Sequence, residues 1–315
     1  MGQLLNGEWK TNQALEADEQ TGEFQRKAST FRKWIEDDPD AEFPAEANRY
    51  HLYISRACPW AHRTAIVRRL KGLENVISMS IVEPVRINDG WEFSEQYPDP
   101  LYGKQYLREL YQKADPKFTG RVTVPTLWDK QTETIVNNES SDIIRMFERG
   151  FDRFATTDER FYPQELRDEI DGAMDAIYEP INNGVYRAGF AGNQQAHERA
   201  VRQIFDALDH WEEVLARQRY LCGDRITLAD WCMFTTLYRF DSVYYTHFKC
   251  NVRRIVDYPN LWNYAKELYQ YKDVADTCNM VHCKRHYYMS HTWLNPTQFV
   301  PVGPAIDFEE PHNRG

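Results

Sequence analysis

Cys58 stands between a run of residues typical of a β-strand and a run typical of an α-helix. Residues 50–55 predict a short strand, and residues 61–71 predict a helix that ends at Gly72. At a helix N-terminus, unpaired backbone N–H groups and the helix dipole favour the thiolate, the nucleophilic form of cysteine. The cationic side chains close to Cys58 in sequence, which add to this effect, are Arg56, His62 and Arg63.

The neighbours of Cys58 predict a thiol that acts without a second cysteine. Pro59 fits the first helical turn, where its missing N–H removes no hydrogen bond. A redox C-x-x-C pair needs a cysteine at position 61, where this chain has Ala61. A disulfide formed on Cys58 must therefore be reduced by an external thiol, most simply glutathione. An isolated cysteine often serves as a small buried apolar residue, but the strand–Cys–Pro–helix context favours the reactive interpretation.

Composition excludes several classes of function. The chain has 315 residues, 42% of them hydrophobic, which predicts a globular protein of two domains. Its net charge of −10 and its scattered basic residues argue against nucleic acid as a partner. No apolar run is long enough to span a bilayer, so we expect no membrane partner. Six cysteines in a chain of this length do not form a dense disulfide framework, and we expect a cytoplasmic location.

The order of the predicted elements indicates an α/β domain followed by an all-α domain. Strand, helix and strand, then a hairpin and a helix, form a small thioredoxin-like sandwich. Apolar residues at helical spacing follow, and Thr227 and Asp230 predict a capping box. The expected segments are an irregular N-terminal extension at 1–47, a thioredoxin-like domain at 48–155, an all-helical domain at 156–290 and an irregular tail at 291–315.

A thioredoxin-like domain followed by a helical domain with this capping box resembles a glutathione transferase. Longer motifs, spread over essentially the whole chain, are similar to those of the glutathionyl-hydroquinone reductases, the Xi class of that superfamily. These motifs are 58–63 (CPWAHR), 89–91, 121–125, 138–140, 182–190, 239–241, Tyr244 and 246–250.

The resemblance implies a reaction in which glutathione reduces a glutathionyl-hydroquinone and glutathione disulfide is released. The Cys58 thiolate would attack the sulfur of the conjugate once the ring has tautomerised to its keto form, so that an enolate can leave. By resemblance, Tyr186, Tyr244 and Tyr287 transfer the proton and stabilise the oxyanion, with Tyr186 the leading proton donor. Taken alone, each tyrosine reads as an ordinary half-buried aromatic residue.

The resemblance also implies a glutathione site. A cis bond before Pro125 would turn the Val124 backbone toward the ligand, Ser140 would hold the γ-glutamyl carboxylate, and Glu139 would hold the ammonium group. From the residues alone, Glu139 and Ser140 also read as a helix cap, and Trp91 as a core aromatic. The residues that the resemblance assigns to glutathione binding are Trp91, Arg121, Val122, Thr123, Val124, Glu139 and Ser140.

Three further expectations concern ligands, partners and competing functions. Cys278, His282 and His286 share the spacing of one helix face, but a structural zinc site needs a further well-spaced ligand, so we expect no metal. No permanently bound cofactor is expected, because glutathione enters as a co-substrate. A homodimer is implied by the resemblance. The alternative functions are a glutathione-conjugating transferase, which would not need Cys58, and a non-catalytic binding module.

Overall fold

The computed structural model describes residues 2–11 and 17–315. The chain divides into two compact units, and neither is continuous in sequence. The first unit comprises Met1–Ala14, Ala28–Glu159 and Thr277–His291; the second comprises Leu15–Lys27, Arg160–Asp276 and Thr292–Gly315. The predicted segment boundaries differ from these units chiefly because 17–27 lies with the helical unit and 277–291 with the sheet.

The strands in chain order are β1 Gln3–Leu5, β2 Glu8–Lys10, β3 Tyr50–Ile54, β4 Ser78–Ile81, β5 Thr126–Asp129 and β6 Thr134–Asn137. The α-helices are α1 Pro59–Leu70, α2 Leu107–Ala114, α3 Ser140–Arg149, α4 Arg167–Ile177, α5 Gly184–Gly189, α6 Gln194–Leu215, α7 Leu228–Arg239, α8 Tyr245–His247, α9 Pro259–Gln270 and α10 Met280–Ser290. Two π-helical segments, Tyr178–Asn182 and Phe240–Tyr244, follow α4 and α7. Short 3₁₀ turns cover Asp152–Phe154, Gln164–Leu166, Ile255–Asp257 and Val274–Thr277.

The first unit is built on a four-stranded sheet in the order β4-β3-β5-β6. β3 pairs in parallel with β4 and antiparallel with β5, which in turn pairs antiparallel with β6. All five residues of β3 are buried, as a central strand covered on both faces requires. Arg49 and Asp129 form a buried bidentate pair at 2.7 and 3.0 Å that joins the start of β3 to the end of β5. This arrangement confirms the predicted thioredoxin-like sandwich.

The N-terminal extension is not entirely irregular, so that prediction was wrong for its first residues. β1 and β2 form an antiparallel hairpin with Leu4 opposite Trp9. Asn6 and Gly7 connect the strands, and both have positive φ, at 50° and 79°. An Asn-Gly pair of this kind makes the two-residue turn whose twist matches that of the strands. A Cβ at Gly7 would lie 1.9 Å from the Pro116 carbonyl oxygen, so only glycine fits.

The second unit is helical, and its core includes α6, α7 and α9. The predicted capping box at the start of α7 is confirmed: the Asp230 carboxylate accepts hydrogen bonds from the Thr227 N–H at 2.7 Å and the Thr227 hydroxyl at 2.9 Å. Its other oxygen accepts from the Leu221 N–H and the Tyr264 hydroxyl. Burial raises the pKa of Asp230 above its ordinary value, against these hydrogen bonds. Across the described residues, no helix combines the length and apolar character needed to cross a membrane.

Candidate active site

Cys58 is the N-cap residue of α1, with extended backbone angles of φ −78° and ψ 121°, and Pro59 begins the helix. Its half-buried thiol donates a hydrogen bond to the Val124 carbonyl oxygen, with sulfur and oxygen 3.4 Å apart. The Val124–Pro125 peptide bond is cis, as predicted. The carbonyl bond holds the proton that must leave before Cys58 can act, whereas the helix N-terminus favours the thiolate. These two backbone features act in opposite directions on the same sulfur.

The cationic residues next to Cys58 in sequence have identified partners within the first unit. The Arg63 guanidinium lies over the Trp60 ring at 4.8 Å. The His62 imidazole Nε2 lies 2.9 Å from the Thr277 hydroxyl and 3.7 Å from the Cys278 sulfur. The N-terminus of α1 is an electropositive feature that the fold places directly at the sulfur of Cys58.

The segment before Pro125 divides its roles between neighbouring residues. Thr123 is held from within the unit: its N–H donates to the Tyr111 hydroxyl at 3.3 Å, and its carbonyl accepts from that hydroxyl at 2.9 Å. Val122 is buried, and Arg121 is half-buried at the start of the segment. Among the described residues, the Val124 N–H has no hydrogen-bond partner. Val124 is therefore the residue whose main chain remains for an extended ligand beside Cys58.

Glu139 and Ser140 form the N-terminus of α3, and Glu139 is its cap. One carboxylate oxygen of Glu139 accepts from the Ser141 N–H at 3.2 Å, and the other accepts from the Ser29 hydroxyl at 3.0 Å. The Ser140 hydroxyl lies 3.5 Å from the first of these oxygens. The helix-cap interpretation therefore describes these residues in the unliganded protein. The Ser141 hydroxyl also donates to the first oxygen at 3.3 Å, so four donors contact the Glu139 carboxylate, which has about four acceptor positions.

Trp91 is buried with an exposed fraction of 4%, and its indole N–H has no hydrogen-bond partner among the described residues. Its ring stacks on the His286 imidazole, with centroids 5.0 Å apart and planes at 15°, and the Arg86 guanidinium lies 4.9 Å from the ring centroid. A buried donor without a partner costs about 1–3 kcal/mol. An acceptor for such a donor can be supplied by a water molecule or by a bound ligand.

α10 carries Tyr287 into the first unit. The helix is attached there by His286, whose Nδ1–H donates to the Pro84 carbonyl at 2.7 Å, and by Cys283, whose thiol donates to the Arg56 carbonyl at 3.8 Å. Tyr287 follows Cys283 by four residues and shares its helix face. The structure thereby places the buried Tyr287 on the face of α10 that meets the backbone two residues before Cys58.

Tyr186 and Tyr244 lie in the second unit, in a set of packed rings that we call the tyrosine cluster: Tyr186, Phe190, Tyr244 and Phe248. The two tyrosine rings have centroids 6.0 Å apart, and Phe248 lies 5.5 Å from each. Tyr244 is completely buried and Tyr186 is 8% exposed. The cluster packs each of the two tyrosine rings against other aromatic rings.

Each tyrosine of the cluster is positioned by a π-helical segment. Asn182 ends the first segment, and its amide donates to the Cys232 carbonyl and the Thr236 hydroxyl on α7. Asp241 lies in the second, and its carboxylate accepts from the N–H groups of Ile255 and Val256. Burial raises the pKa of Asp241 above its ordinary value. π-helical turns inside helices are frequent at functional sites.

The residues of the candidate zinc spacing have other partners in the first unit. The Cys278 sulfur is near His62, His286 stacks on Trp91, and His282 Nε2 lies 3.0 Å from the Tyr97 hydroxyl. Desolvation lowers the pKa of His282. Within 2–11 and 17–315, no group of three or more His, Cys, Asp or Glu side chains is placed to hold a metal ion.

Two features of the site have no counterpart in the sequence analysis. The π-helical segments leave no signature in the apolar spacing, which is that of ordinary helices. Arg26, from the N-terminal extension, has its guanidinium 4.8 Å from the centroid of the Tyr186 ring. An arginine in a polar stretch without periodicity carries no signal that links it to a ring 160 residues later.

Comparison with known proteins defines the class. Family models for the N-terminal and C-terminal domains of glutathione S-transferases match residues 57–149 and 194–267, which fall inside the predicted ranges 48–155 and 156–290. The sheet followed by the helical region therefore has the two-domain glutathione transferase fold, as predicted.

Individual relatives identify the class within the glutathione transferases to which the chain is similar. The chain is 47% identical to glutathionyl-hydroquinone reductase YqjG of Escherichia coli (strain K12), over 100% of this chain and 98% of the relative. It is 48% identical to glutathionyl-hydroquinone reductase PcpF of Sphingobium chlorophenolicum, over 97% of each. Among solved structures, the Xi class transferase of Natrialba magadii superposes with a TM-score of 0.94 at 52% identity, covering 100% of this chain and 96% of that one. Glutathione-bound YqjG superposes with a TM-score of 0.90 at 44% identity, covering 99% of each. This chain belongs to the glutathionyl-hydroquinone reductases, the Xi class of the glutathione transferases.

Proposed function

We propose that this protein reduces glutathionyl-hydroquinones to hydroquinones, with glutathione as the reductant and a Cys58–glutathione mixed disulfide as the intermediate. The observation that carries the proposal is the single half-buried thiol at the N-terminus of α1, beside the Val124 main chain. Ala61 occupies the position of the second cysteine of a C-x-x-C pair, and this supports free glutathione as the thiol that resolves the mixed disulfide. The names of the two curated relatives support the substrate class.

In the first half-reaction, a proton moves from a ring hydroxyl of the hydroquinone to the ring carbon that carries sulfur, which gives the keto tautomer. The Cys58 thiolate then attacks the glutathionyl sulfur. A sulfur–sulfur bond forms, the carbon–sulfur bond breaks, and its electron pair leaves as an enolate. Protonation of the enolate oxygen gives the hydroquinone, so the ring has exchanged a glutathionyl group for hydrogen.

In the second half-reaction, the thiolate of a second glutathione attacks the glutathionyl sulfur of the mixed disulfide. The Cys58 sulfur leaves as a thiolate, and glutathione disulfide is released. The proton lost by the incoming glutathione balances the proton gained by the hydroquinone. The helix N-terminus at Cys58 stabilises the thiolate both as attacking group and as leaving group.

The tyrosine hydroxyls are assigned to the hydroquinone half of the substrate. We assign Tyr186 as the donor of the proton to ring carbon, and Tyr244 and Tyr287 as donors to the developing oxyanion. A phenol can both give and accept a proton and is neutral near pH 7, which suits a keto–enol transfer. The apolar rings of the tyrosine cluster support this assignment, because they exclude water that would compete for the enolate.

The glutathione half is assigned to groups of the first unit. The Val124 main chain pairs with the cysteinyl residue, the α3 N-terminus with Ser140 holds the γ-glutamyl carboxylate, and Glu139 holds the ammonium group. Trp91 donates its unpartnered N–H to a ligand oxygen, and Arg121 pairs with a carboxylate. Val122 and Thr123 act by holding the Val124 backbone in place.

Whole-protein mass spectrometry tests the proposal against a conjugating transferase and against a binding module. After exposure to glutathionyl-menadiol, the hydroquinone form of the conjugate, without free glutathione or oxygen, we expect the mass to rise by one glutathione and menadiol to be released in equal amount. Added glutathione should restore the original mass. A protein that keeps its mass and releases no menadiol would contradict the proposal, and synthesis of conjugate from menadione and glutathione alone would favour the transferase.

We also propose that the protein works as a homodimer in the cytoplasm. The family resemblance supports the dimer, and the need for a reduced Cys58 supports a compartment rich in glutathione. Light scattering after size-exclusion chromatography measures the mass in solution, and a mass of one chain would contradict the dimer.

A further inference from the structure

Part of the N-terminal extension belongs to the helical unit. Residues 17–27 are attached to the connection between α5 and α6: the Gly192 N–H donates to the Gly22 carbonyl at 2.8 Å, and the Asn193 amide donates to the Thr21 carbonyl at 3.2 Å. Arg199 on α6 forms an ion pair with Glu23 at 3.2 Å. The Phe24 ring packs edge-on against Phe190 of the tyrosine cluster, with centroids 5.3 Å apart.

These contacts place the Arg26 guanidinium beside the ring of Tyr186. The Arg26 Nε–H donates to the side-chain oxygen of Asn183 at 2.8 Å, while the guanidinium carbon lies 4.8 Å from the Tyr186 ring centroid. Asn183 is itself oriented, because its amide nitrogen donates to Glu179 at 3.3 Å and so leaves the oxygen for Arg26. Glu179 in turn pairs with Arg187 at 3.2 Å.

A cation over a tyrosine ring changes the energy of the two protonation states unequally. The guanidinium is attracted to the face of the neutral ring, and it is attracted more strongly to a ring that carries phenolate charge. Arg26 therefore stabilises Tyr186 most at the moment when its hydroxyl has given up a proton. Glu179 does not cancel this effect, because Arg187 neutralises it.

We propose that Arg26 is a positioning residue for the Tyr186 proton transfer, held over the ring by Asn183 and acting through Tyr186 without touching the substrate. This inference rests on the proposed function. It gives the segment 17–27 a role in the reaction, as the part of the chain that supplies the cation to the tyrosine cluster.

The test is a double-mutant cycle between Arg26 and Tyr186, with Arg26→Lys as the conservative variant. For Arg26→Leu we expect kcat on glutathionyl-menadiol to fall about tenfold with the glutathione Kd unchanged. Arg26→Lys keeps a cation at the ring and should recover most of the loss. In the Tyr186→Phe background, Arg26→Leu should change kcat by less than about twofold, because the group through which it acts is gone.

Arg202→Leu, an exposed arginine on α6 with a weak ion pair, is the matched control and should leave kcat unchanged. An equal kcat loss for Arg26→Leu in both backgrounds would overturn the inference in favour of a structural role. Full activity of Arg26→Leu, or of Tyr186→Phe, would also overturn it. The inference would also be overturned if Arg26→Lys and Arg26→Leu lowered the urea unfolding midpoint alike and lost kcat equally. A wild-type protein that does not turn over the conjugate would overturn the proposed function itself and this inference with it.

Discussion

The surroundings of Cys58 and the tyrosine cluster differ in the kind of group that they offer to a ligand. At Cys58 the identified features are backbone groups: the N-terminus of α1 and the Val124 carbonyl. Around Tyr186 and Tyr244 they are aromatic rings. Backbone groups have fixed directions and suit a ligand with an invariant peptide-like shape. Rings accept many flat molecules, because their contacts depend little on the position of substituents. The first region thus suits glutathione, and the second suits a varied class of aromatic partners.

The largest expected effect on turnover comes from replacing Cys58, the proposed nucleophile. Cys58→Ser should lower turnover of glutathionyl-menadiol by about 1000-fold or more, because a serine hydroxyl is ionised far less than a thiol and forms no disulfide. Steady-state kinetics with detection of menadiol measures the loss. Cys278→Ser changes another half-buried cysteine of the same unit and should stay within about twofold of wild type. Turnover by Cys58→Ser at the wild-type rate would show that the nucleophile lies elsewhere.

The second prediction tests whether the tyrosine cluster acts in the transition state. Tyr186→Phe should lower kcat about 100-fold, a typical contribution of a general acid, and leave the glutathione Kd measured by calorimetry unchanged. Tyr244→Phe and Tyr287→Phe should each cost less, about tenfold, since they share the oxyanion. Tyr245→Phe alters the half-buried neighbour of Tyr244 and is the control. A loss in Tyr186→Phe that weaker glutathione binding fully explains would move the proton donor to another residue.

The third prediction concerns the unpartnered indole N–H. Trp91→Phe should weaken glutathione binding up to about tenfold, because a hydrogen bond contributes roughly 0.5–1.5 kcal/mol, while the unliganded protein loses no hydrogen bond at this donor. Calorimetric Kd and the urea unfolding midpoint give the two quantities. Trp128→Phe is the matched control: its N–H already donates to the Tyr102 hydroxyl at 3.0 Å, so it should lower the midpoint and spare binding. The reverse outcome would make Trp91 a core residue only.

The smallest expected effect compares acid sensitivity in the two regions. Burial lowers the pKa of His51 in β3 to about 3 and that of His247, beside the tyrosine cluster, to about 4. Between these values and about pH 6.5 the unfolded chain binds a proton that the folded chain does not. The free energy of unfolding should therefore fall as the pH falls through this window, by up to about 1.4 kcal/mol per pH unit for each histidine.

His247→Gln removes one of these protons and should flatten the pH dependence of stability between pH 4 and pH 6.5, as measured by urea unfolding at each pH. His210→Gln, at a position outside the buried core on α6, should leave the slope unchanged. An unaltered slope in His247→Gln would show that His247 is protonated in the folded protein at these pH values.

The two regions also show what could be predicted from sequence, because contacts between residues close in sequence follow local rules and contacts between distant residues do not. The Cys58 helix, the capping box of Thr227 and Asp230 and the helix at Ser140 depend on residues within a few positions of one another, so local rules found them. The Asn6–Gly7 hairpin was also readable, and its dipeptide is the signal that was missed. The assignment of α10 to the first unit and of 17–27 to the second depends on pairs such as His286 with Pro84, which are 202 positions apart. Local pattern says nothing about such pairs.

The separation of 202 positions between Pro84 and His286 has a consequence for synthesis on the ribosome. Cys58, Val124 and the α3 N-terminus are synthesised well before His286, whose ring stacks on Trp91. At about 5–20 residues per second, the interval from Pro84 to His286 lasts about 10–40 s. During that time the nascent sheet carries the Cys58 thiol without α10 to cover the Arg56 backbone beside it. The stack of His286 on Trp91 forms only after α10 has been synthesised, and a nascent chain that stops before α10 presents Cys58 without it.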